Sequence, residues 1–419
     1  MKKILFIVTE SRSANGICVK AVMDELTGRG NAVFCLTNRE LGDGKNDEIR
    51  NGVTYSTAKP RLCYRLDARA LSLPKGSKLR RLISLLSFVL NKAKLIITYP
   101  TWPLISSAYA GRIYRKAMSI CKTQGIDTVI PIYTQIDTLI AAERIKRKIP
   151  NIKYVPYFLD AFSGGYGPKV FSKEWTEKRG LKWEAKLLPR ADKILMMRSV
   201  IPHYEKYKDK ITYYDKIRFL DLPLFKPTES FGETKKDRAE GEEKVTELLF
   251  VGSIPAHIRD PRYFIELFGK LDDPSLRFTI IGTSTCESYL EEAARKDERI
   301  KPVGRVDHET ALAAMRSADA LVNLGNNDPK MTPSKIFEYM SCGKPIISTA
   351  PIENEPSKVY LENYPCKYVI DERKPIEEHI EPLKRFLSET RGVSVDAERL
   401  SEIFYLNTPA AFAECISEE

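Results

Sequence analysis

Twice along this chain, short apolar runs bounded by turn residues alternate with longer amphipathic stretches, and this alternation restricts the fold more than any other feature of the sequence. A short run apolar at every position suits a strand covered on both faces, and the amphipathic stretches suit the helices that cover it. The pattern predicts β-α-β units and a parallel sheet. In the first half it places strands at 4–8, 32–36, 128–131, 154–158 and 194–197, with helices at 17–29 and 138–148. In the second half the strands fall at 248–251, 277–281, 320–323, 345–348 and 368–370. Each half is expected to be a doubly wound α/β sheet. A chain of 419 residues suits two such domains better than one core. The stretch 227–244, PTESFGETKKDRAEGEEK, is nearly devoid of apolar residues and reads as the linker. The expected organisation is a first domain over 1–225, a charged linker over 226–246, a second domain over 247–396, and a helical segment over 397–419 packing back toward the first domain.

Composition narrows the class. A chain that is 43% hydrophobic and 29% charged is globular. The eight cysteines show no C-x-x-C pair and the four histidines are scattered, so reduced thiols are expected and an all-protein metal cage is not. The apolar run after Met1, Lys2 and Lys3 is too short for a signal-peptide core and reads as a first strand, which leads us to expect a cytoplasmic protein.

The net charge of +11 is unevenly spread: residues 1–225 carry 41 Lys and Arg against 20 Asp and Glu, while the remainder carries 26 against 36. One half is therefore expected to face something anionic. The excess peaks over 59–94, from Lys59 at one end to Lys94 at the other, where ten basic residues meet the single acid Asp67 around the apolar LISLLSFVL of 82–90. Such a segment is too short to cross a bilayer. It can lie in an anionic membrane interface, or pack on its own domain with a solvated basic face. Nucleic acid is not an expected partner, because no nucleic-acid-binding motif accompanies the charge.

The segment 323–350, NLGNNDPKMTPSKIFEYMSCGKPIISTA, carries most of the chemistry. A strand ends at Asn323, a loop carries Asp328 and Lys330, and Thr332 with Pro333 supplies a cap and a first-turn proline. A helix is expected from there to Met340, closed by Gly343 and Pro345. Its N-terminus would offer free amides to a diphosphate, with Lys335 adding a full positive charge.

The string PSKIFEYMSCGKPII within it resembles the donor-site segment of bacterial sugar transferases of the GT-B type, the family-4-like group 1 glycosyl transferases. The resemblance covers nearly the whole chain and implies two Rossmann-like domains facing a central cleft, with a nucleoside-diphosphate sugar as donor. It assigns the ribose contact to Glu338 and the donor contacts to Thr332, Pro333 and Ser334, and places Lys330 where the family often has a sugar-contacting glutamate. LLFVGSIPAHIRDPRYFIELF resembles the opening of the family's second domain, which holds donor phosphates through a basic pair. Gly252 and Arg259 match that pattern; Ser253 stands where an arginine is common, with Arg262 as its substitute. Gly282 and the Gly304, Arg305 and Val306 turn match loops that approach the pyrophosphate and the base. In the first domain Gly16 matches the glycine loop after the first strand, and Asp160 a strand end that faces the transferred sugar.

The resemblance thus implies sugar transfer to a lipid-linked or polysaccharide acceptor in cell-surface polysaccharide synthesis, with retention of configuration. Arg259 and Lys335 would stabilise the leaving diphosphate, and Asp160 would be the polar partner of the sugar or the attacking hydroxyl. The donor segment holds no carboxylate-rich loop, so no cofactor and no obligatory metal are expected. Two other readings stay open: a GT-B-fold epimerase or phosphorylase, and a non-catalytic sugar-nucleotide-binding or scaffold subunit, which Lys330 and Ser253 would suit.

Overall fold

The computed structural model describes every residue except 10–13, 39–47, 75, 160, 166–170, 227–244, 330, 332, 334 and 419. It divides into two compact units, 1–223 together with 409–419, and 224–408. The expected linker lies almost wholly outside the described residues.

The first unit is built on β1 (Lys3–Val8), β2 (Ala32–Asn38), β3 (Glu48–Arg50), β4 (Val53–Ala58), β5 (Thr128–Tyr133), β6 (Lys153–Tyr154), β7 (Tyr157–Phe158), β8 (Ile194–Met197) and β9 (Ile217–Leu220). Their order is β3-β4-β2-β1-β5-β7-β8-β9, with β6 also on β5. Every pairing is parallel except β3 with β4. That hairpin turns at Asn51 and Gly52, both at positive φ, which two-residue hairpins require. The strand expected at 154–158 is broken in two around Val155 and Pro156, because proline has no N–H for the ladder. Residues 4–8 of β1 are all buried, as a central parallel strand demands. Leu5 and Ile7 pack with Tyr109 and Ile113 of the Ser107–Gln124 helix and Leu139 of the Ile136–Lys148 helix.

The second unit contains β10 (Thr246–Val251), β11 (Leu276–Ile281), β12 (Ile300–Gly304), β13 (Ala320–Asn323), β14 (Ile346–Ala350) and β15 (Lys367–Asp371). All are parallel, in the order β12-β11-β10-β13-β14-β15. In both units the first strand lies beside the second on one side and, on the other, beside the strand that reverses the direction of winding. This is the doubly wound dinucleotide-binding order, and it leaves a crevice at the carboxyl ends of the two strands where the winding reverses. The fold class expected from the alternation is the one observed.

The helical segment expected over 397–419 is divided between the two units. Ala397–Ile403 belongs to the second unit, and a new helix, Pro409–Ser417, belongs to the first. The break follows from Pro409, which holds Thr408 in an extended conformation (φ −95°, ψ 149°). Phe412 packs against Tyr157 at 5.1 Å, and Lys2 and Lys193 donate to the carbonyls of Ser417 and Cys415, each at 2.6 Å. None of the eight cysteines is in a disulfide, and five of them are buried. Among the described residues no helix is long and apolar enough to cross a membrane.

Candidate functional site

In the second sheet the winding reverses between β10 and β13, and the two strand ends meet there through one arginine. Arg259 donates from Nη1 to the carbonyl of Ser253, just past β10, at 2.8 Å. Its Nε donates to Asn326 Oδ1, just past β13, at 3.1 Å. Burial lowers the Arg259 pKa, opposed by Tyr339 and Glu355, yet a guanidinium stays charged in a protein. The arrangement therefore fixes a partly desolvated cation at the crevice.

The scaffold around it is tightly specified. Gly282 sits at φ +143°, and a Cβ there would lie 1.7 Å from the Gly252 carbonyl oxygen, so only glycine fits. Gly325 has the same constraint, its Cβ falling 2.2 Å from the Thr349 carbonyl oxygen. Tyr339 is buried; its hydroxyl accepts from the Val251 amide at 2.7 Å and donates to the Val251 carbonyl at 3.0 Å, tying the Lys335–Ser341 helix to the end of β10. Glu355, 1% exposed, accepts from the Asn326 amide at 3.2 Å and from the Ser357 amide and hydroxyl at 2.8 and 3.1 Å. Burial raises its pKa, and those hydrogen bonds oppose the rise. Glu372 is pushed up to about 7, chiefly by burial, with Asp260, Glu355 and Asp371 adding repulsion.

Beside this crevice, at the carboxyl edge of β10, β11 and β12, Ile254, Ile280, Gly282, Thr283, Pro302 and Val303 help line a cavity of about 190 Å³. Gly304, at φ +81°, closes its far side, with Arg305 exposed and Val306 half-buried beyond it.

The expected site residues are distributed as follows. Gly252, Gly282 and Arg259 come together at the switch point. Arg262 turns instead to its neighbour Asp260, which accepts from its Nε at 3.0 Å, so it does not join Arg259. Of the helix expected from Thr332, the described part is Lys335–Ser341, and the Pro333 carbonyl accepts from the Ile336 amide at 3.1 Å. Within it Lys335 Nζ pairs with Glu338 Oε2 at 2.5 Å, so the expected diphosphate cation and the expected ribose carboxylate hold each other. Pro333 is buried, and Gly343 takes the expected left-handed turn at φ +67°. Gly16 lies inside the Ala14–Gly28 helix and not in a loop before it, because the helix starts two residues earlier. Asp160, Lys330, Thr332 and Ser334 lie outside the described residues. Close to Asp160 in sequence, Ser163 is anchored by its amide and hydroxyl to buried Glu184, at 3.0 and 2.9 Å.

Sequence reasoning missed Asn326, Gly325, Glu355 and Glu372. Only Gly325, directly after a strand end, carried a signal that could have drawn attention to it. Among the described residues no group of three His, Cys, Asp or Glu side chains is placed to hold a metal ion.

Residues 246–384 match the family described as glycosyl transferases group 1. No curated protein matches the chain at a significant level. The sucrose-phosphate synthase of Thermosynechococcus elongatus is similar with a TM-score of 0.57 and 14% identity, over 99% of this chain and 97% of its own. Anabaena HepE, solved in complex with UDP-glucose, gives 0.54 and 12%, over 100% and 98%. WaaG, a glycosyltransferase involved in lipopolysaccharide biosynthesis, gives 0.53 and 13%, over 99% and 100%. At such identities the likeness is one of fold, and it extends over both units. The chain therefore has the GT-B fold, and residues 246–384 of its second unit match group 1 glycosyl transferases.

Proposed function

We propose that the protein transfers a sugar from a nucleoside-diphosphate sugar to a hydroxyl of a lipid-linked or polysaccharide acceptor, in cell-surface polysaccharide synthesis, with retention of configuration. The observation that carries this reading is Arg259, a partly buried cation at the switch point of the domain that matches the transferase family. The bond from the anomeric carbon to the β-phosphate oxygen breaks, and its electron pair leaves with the nucleoside diphosphate. The acceptor oxygen takes its place on the carbon, and the acceptor proton passes to the leaving phosphate. The largest need is a fixed positive charge where the diphosphate develops negative charge, which Arg259 meets. Binding of the diphosphate would draw Lys335 away from Glu338 and release that carboxylate for the ribose hydroxyls. The UDP-glucose of HepE supports a nucleotide sugar as donor. No obligatory metal is part of the reading, and Asp160 keeps its proposed role beside the sugar.

The acceptor end is proposed to work on the inner face of an anionic membrane. On the Lys78–Ile97 helix, Leu82, Leu85, Leu86 and Val89 form one exposed stripe at helical spacing, Leu82 being 62% exposed. Ile83 and Ser87 on the opposite side are buried, and the Ser87 hydroxyl donates to the Cys63 carbonyl of the neighbouring Leu62–Leu71 helix at 3.4 Å. Both alternatives left open by the sequence thus have a face: one packs inward, and the other, rimmed by Arg81 and Lys92, complements an anionic interface. Flotation with vesicles containing phosphatidylglycerol should weaken in Arg81→Glu with Lys92→Glu, and unchanged flotation overturns the membrane part.

The transferase part is tested by melting the protein with UDP, GDP, CMP, dTDP and their common sugar conjugates. Stabilisation by one nucleotide, lost in Glu338→Ala, is the expected result. No stabilisation by any of them favours the non-catalytic reading instead.

A further inference from the structure

The first sheet has a switch point of its own, between β1 and β5, and the groups gathered there are not used by the reading above. Just past the two strand ends, the hydroxyls of Thr9 and Thr134 are hydrogen-bonded at 2.8 Å. Asn38, at the end of β2, donates to the Thr9 carbonyl at 2.7 Å and accepts from the Tyr109 hydroxyl at 2.6 Å. Arg61 arrives from the end of β4 and pairs through Nη2 with Asp137 Oδ2 in the first turn after β5. Its guanidinium lies 4.9 Å from the centre of the Tyr109 ring, and that of Arg112 lies 5.5 Å from the same ring. Arg112 also donates to the carbonyls of Lys59 and Pro60, at 3.3 and 3.4 Å, which places it beside the Arg61 backbone.

Lys94, half-buried on the Lys78–Ile97 helix, completes the group. Its pKa is lowered first by burial and then by repulsion from Arg61. Arg61 and Lys94 therefore both act on one carboxylate, with Arg112 against the shared Tyr109 ring, and Asp137 is fully buried. Arg61 Nε and Asp137 Oδ1 are buried without a hydrogen-bond partner among the described residues. Asp137 attracts both Lys94 and Arg61, but one carboxylate leaves an excess of positive charge and, among the described residues, an unpartnered Arg61 Nε in a desolvated place. An anion with several acceptor oxygens offsets both. A phosphoryl group can take guanidinium and ammonium donors together, in charge-assisted hydrogen bonds.

We propose that Arg61, Lys94 and Arg112 form a binding site for a phosphoryl or diphosphoryl group of the acceptor, at the carboxyl edge of β1, β2 and β5. The proposal rests on the transferase reading and deepens it: the acceptor carries phosphate, and the first unit holds it. Lys94 lies on the same helix as the exposed apolar stripe, so a lipid-linked diphosphate would meet a surface for each of its parts.

The test is calorimetric titration of the full chain with inorganic pyrophosphate and with geranyl diphosphate, on Arg259→Ala, which removes the donor-site cation, and on the same variant with Lys94→Gln or Arg112→Gln added. Binding should persist in Arg259→Ala and weaken about tenfold or more when either glutamine change is added, the loss of one charge-assisted hydrogen bond. Tighter binding of geranyl diphosphate than of pyrophosphate supports the site with a lipid-linked ligand, and equal binding supports it with a soluble one. Binding that is unchanged when either glutamine change is added to Arg259→Ala, or that is already absent in Arg259→Ala, overturns the proposal. So does a lower melting temperature of Lys94→Gln, which would mark the lysine as structural. Failure of the transferase reading shows separately, as absence of nucleotide binding with the anion titration unchanged.

Discussion

The two switch points share a topology and differ in charge. In the second unit a single arginine meets neutral oxygens, the Ser253 carbonyl and the Asn326 amide, while the nearby carboxylate Glu355 is saturated by backbone and hydroxyl donors. In the first unit Arg61 and Lys94 act on one buried carboxylate, Arg112 lies against the same Tyr109 ring as Arg61, and Arg61 Nε and Asp137 Oδ1 have no partner among the described residues. Strand order decides where a ligand can sit; the local balance of donors and charges decides what it can be. On this comparison the second site is a finished scaffold around Arg259, and the first, under the proposal above, is completed by its ligand.

The sharpest way to break the comparison is Arg259→Ala. Transfer should fall about 10²- to 10³-fold in kcat, as for removal of one preorganised electrostatic group. An assay that finds less than a threefold loss removes Arg259 from the chemistry. Next, Glu355→Ala strands the Asn326 and Ser357 donors and should cost about 2–4 kcal/mol in urea unfolding, partly as the penalty of unpaired buried groups. A cost below about 1 kcal/mol would contradict the finished scaffold.

Gly282→Ala must push the Gly252 carbonyl aside and should lower stability by about 1–3 kcal/mol, read from the same unfolding curves. A pH effect comes next. The Glu372 carboxyl is easier to protonate folded, at about 7, than unfolded, near 4.5. Its contribution is fully present below about 4.5 and is lost as pH rises through about 7. Melting temperature measured across that window should fall less in Glu372→Gln than in wild type. The smallest expected effect is a rise in melting temperature of Lys94→Gln, because the variant relieves repulsion by Arg61.

Much of the fold was legible because its central strands are buried on both faces and therefore apolar at every position. β1, β10 and β13 fall where their runs predict them, and β11 does so despite half-exposed Arg277 and Thr279. The missed strands, β3, β4, β9 and β12, lie where that reason fails: β12 is exposed after its first residue and contains Pro302, β3 is exposed throughout, and β4 and β9 are buried at only some positions. Within the site, Arg259 was legible through the resemblance of LLFVGSIPAHIRDPRYFIELF to the opening of the family's second domain. Its partners were not, because a backbone carbonyl at Ser253 and a loop amide at Asn326 leave no pattern in a sequence. The Lys335–Glu338 pair has the i, i+3 spacing that helices bring together, yet the roles assigned to the two residues drew attention away from their mutual attraction.

The return of the Pro409–Ser417 helix to the first unit has a consequence for how such a chain can be rearranged. The second unit is an insert: the chain leaves the first unit once, after 223, and re-enters it once, before 409. Its two ends are fastened together, the Phe225 amide donating to the Asn407 carbonyl at 3.0 Å and the Phe225 ring lying 5.3 Å from that of Phe404. An element whose entry and exit coincide can be exchanged as one cassette, with both cuts made at a single place. Donor preference could then be swapped between relatives by replacing 224–408, while the last eleven residues stay with the recipient to complete its own core.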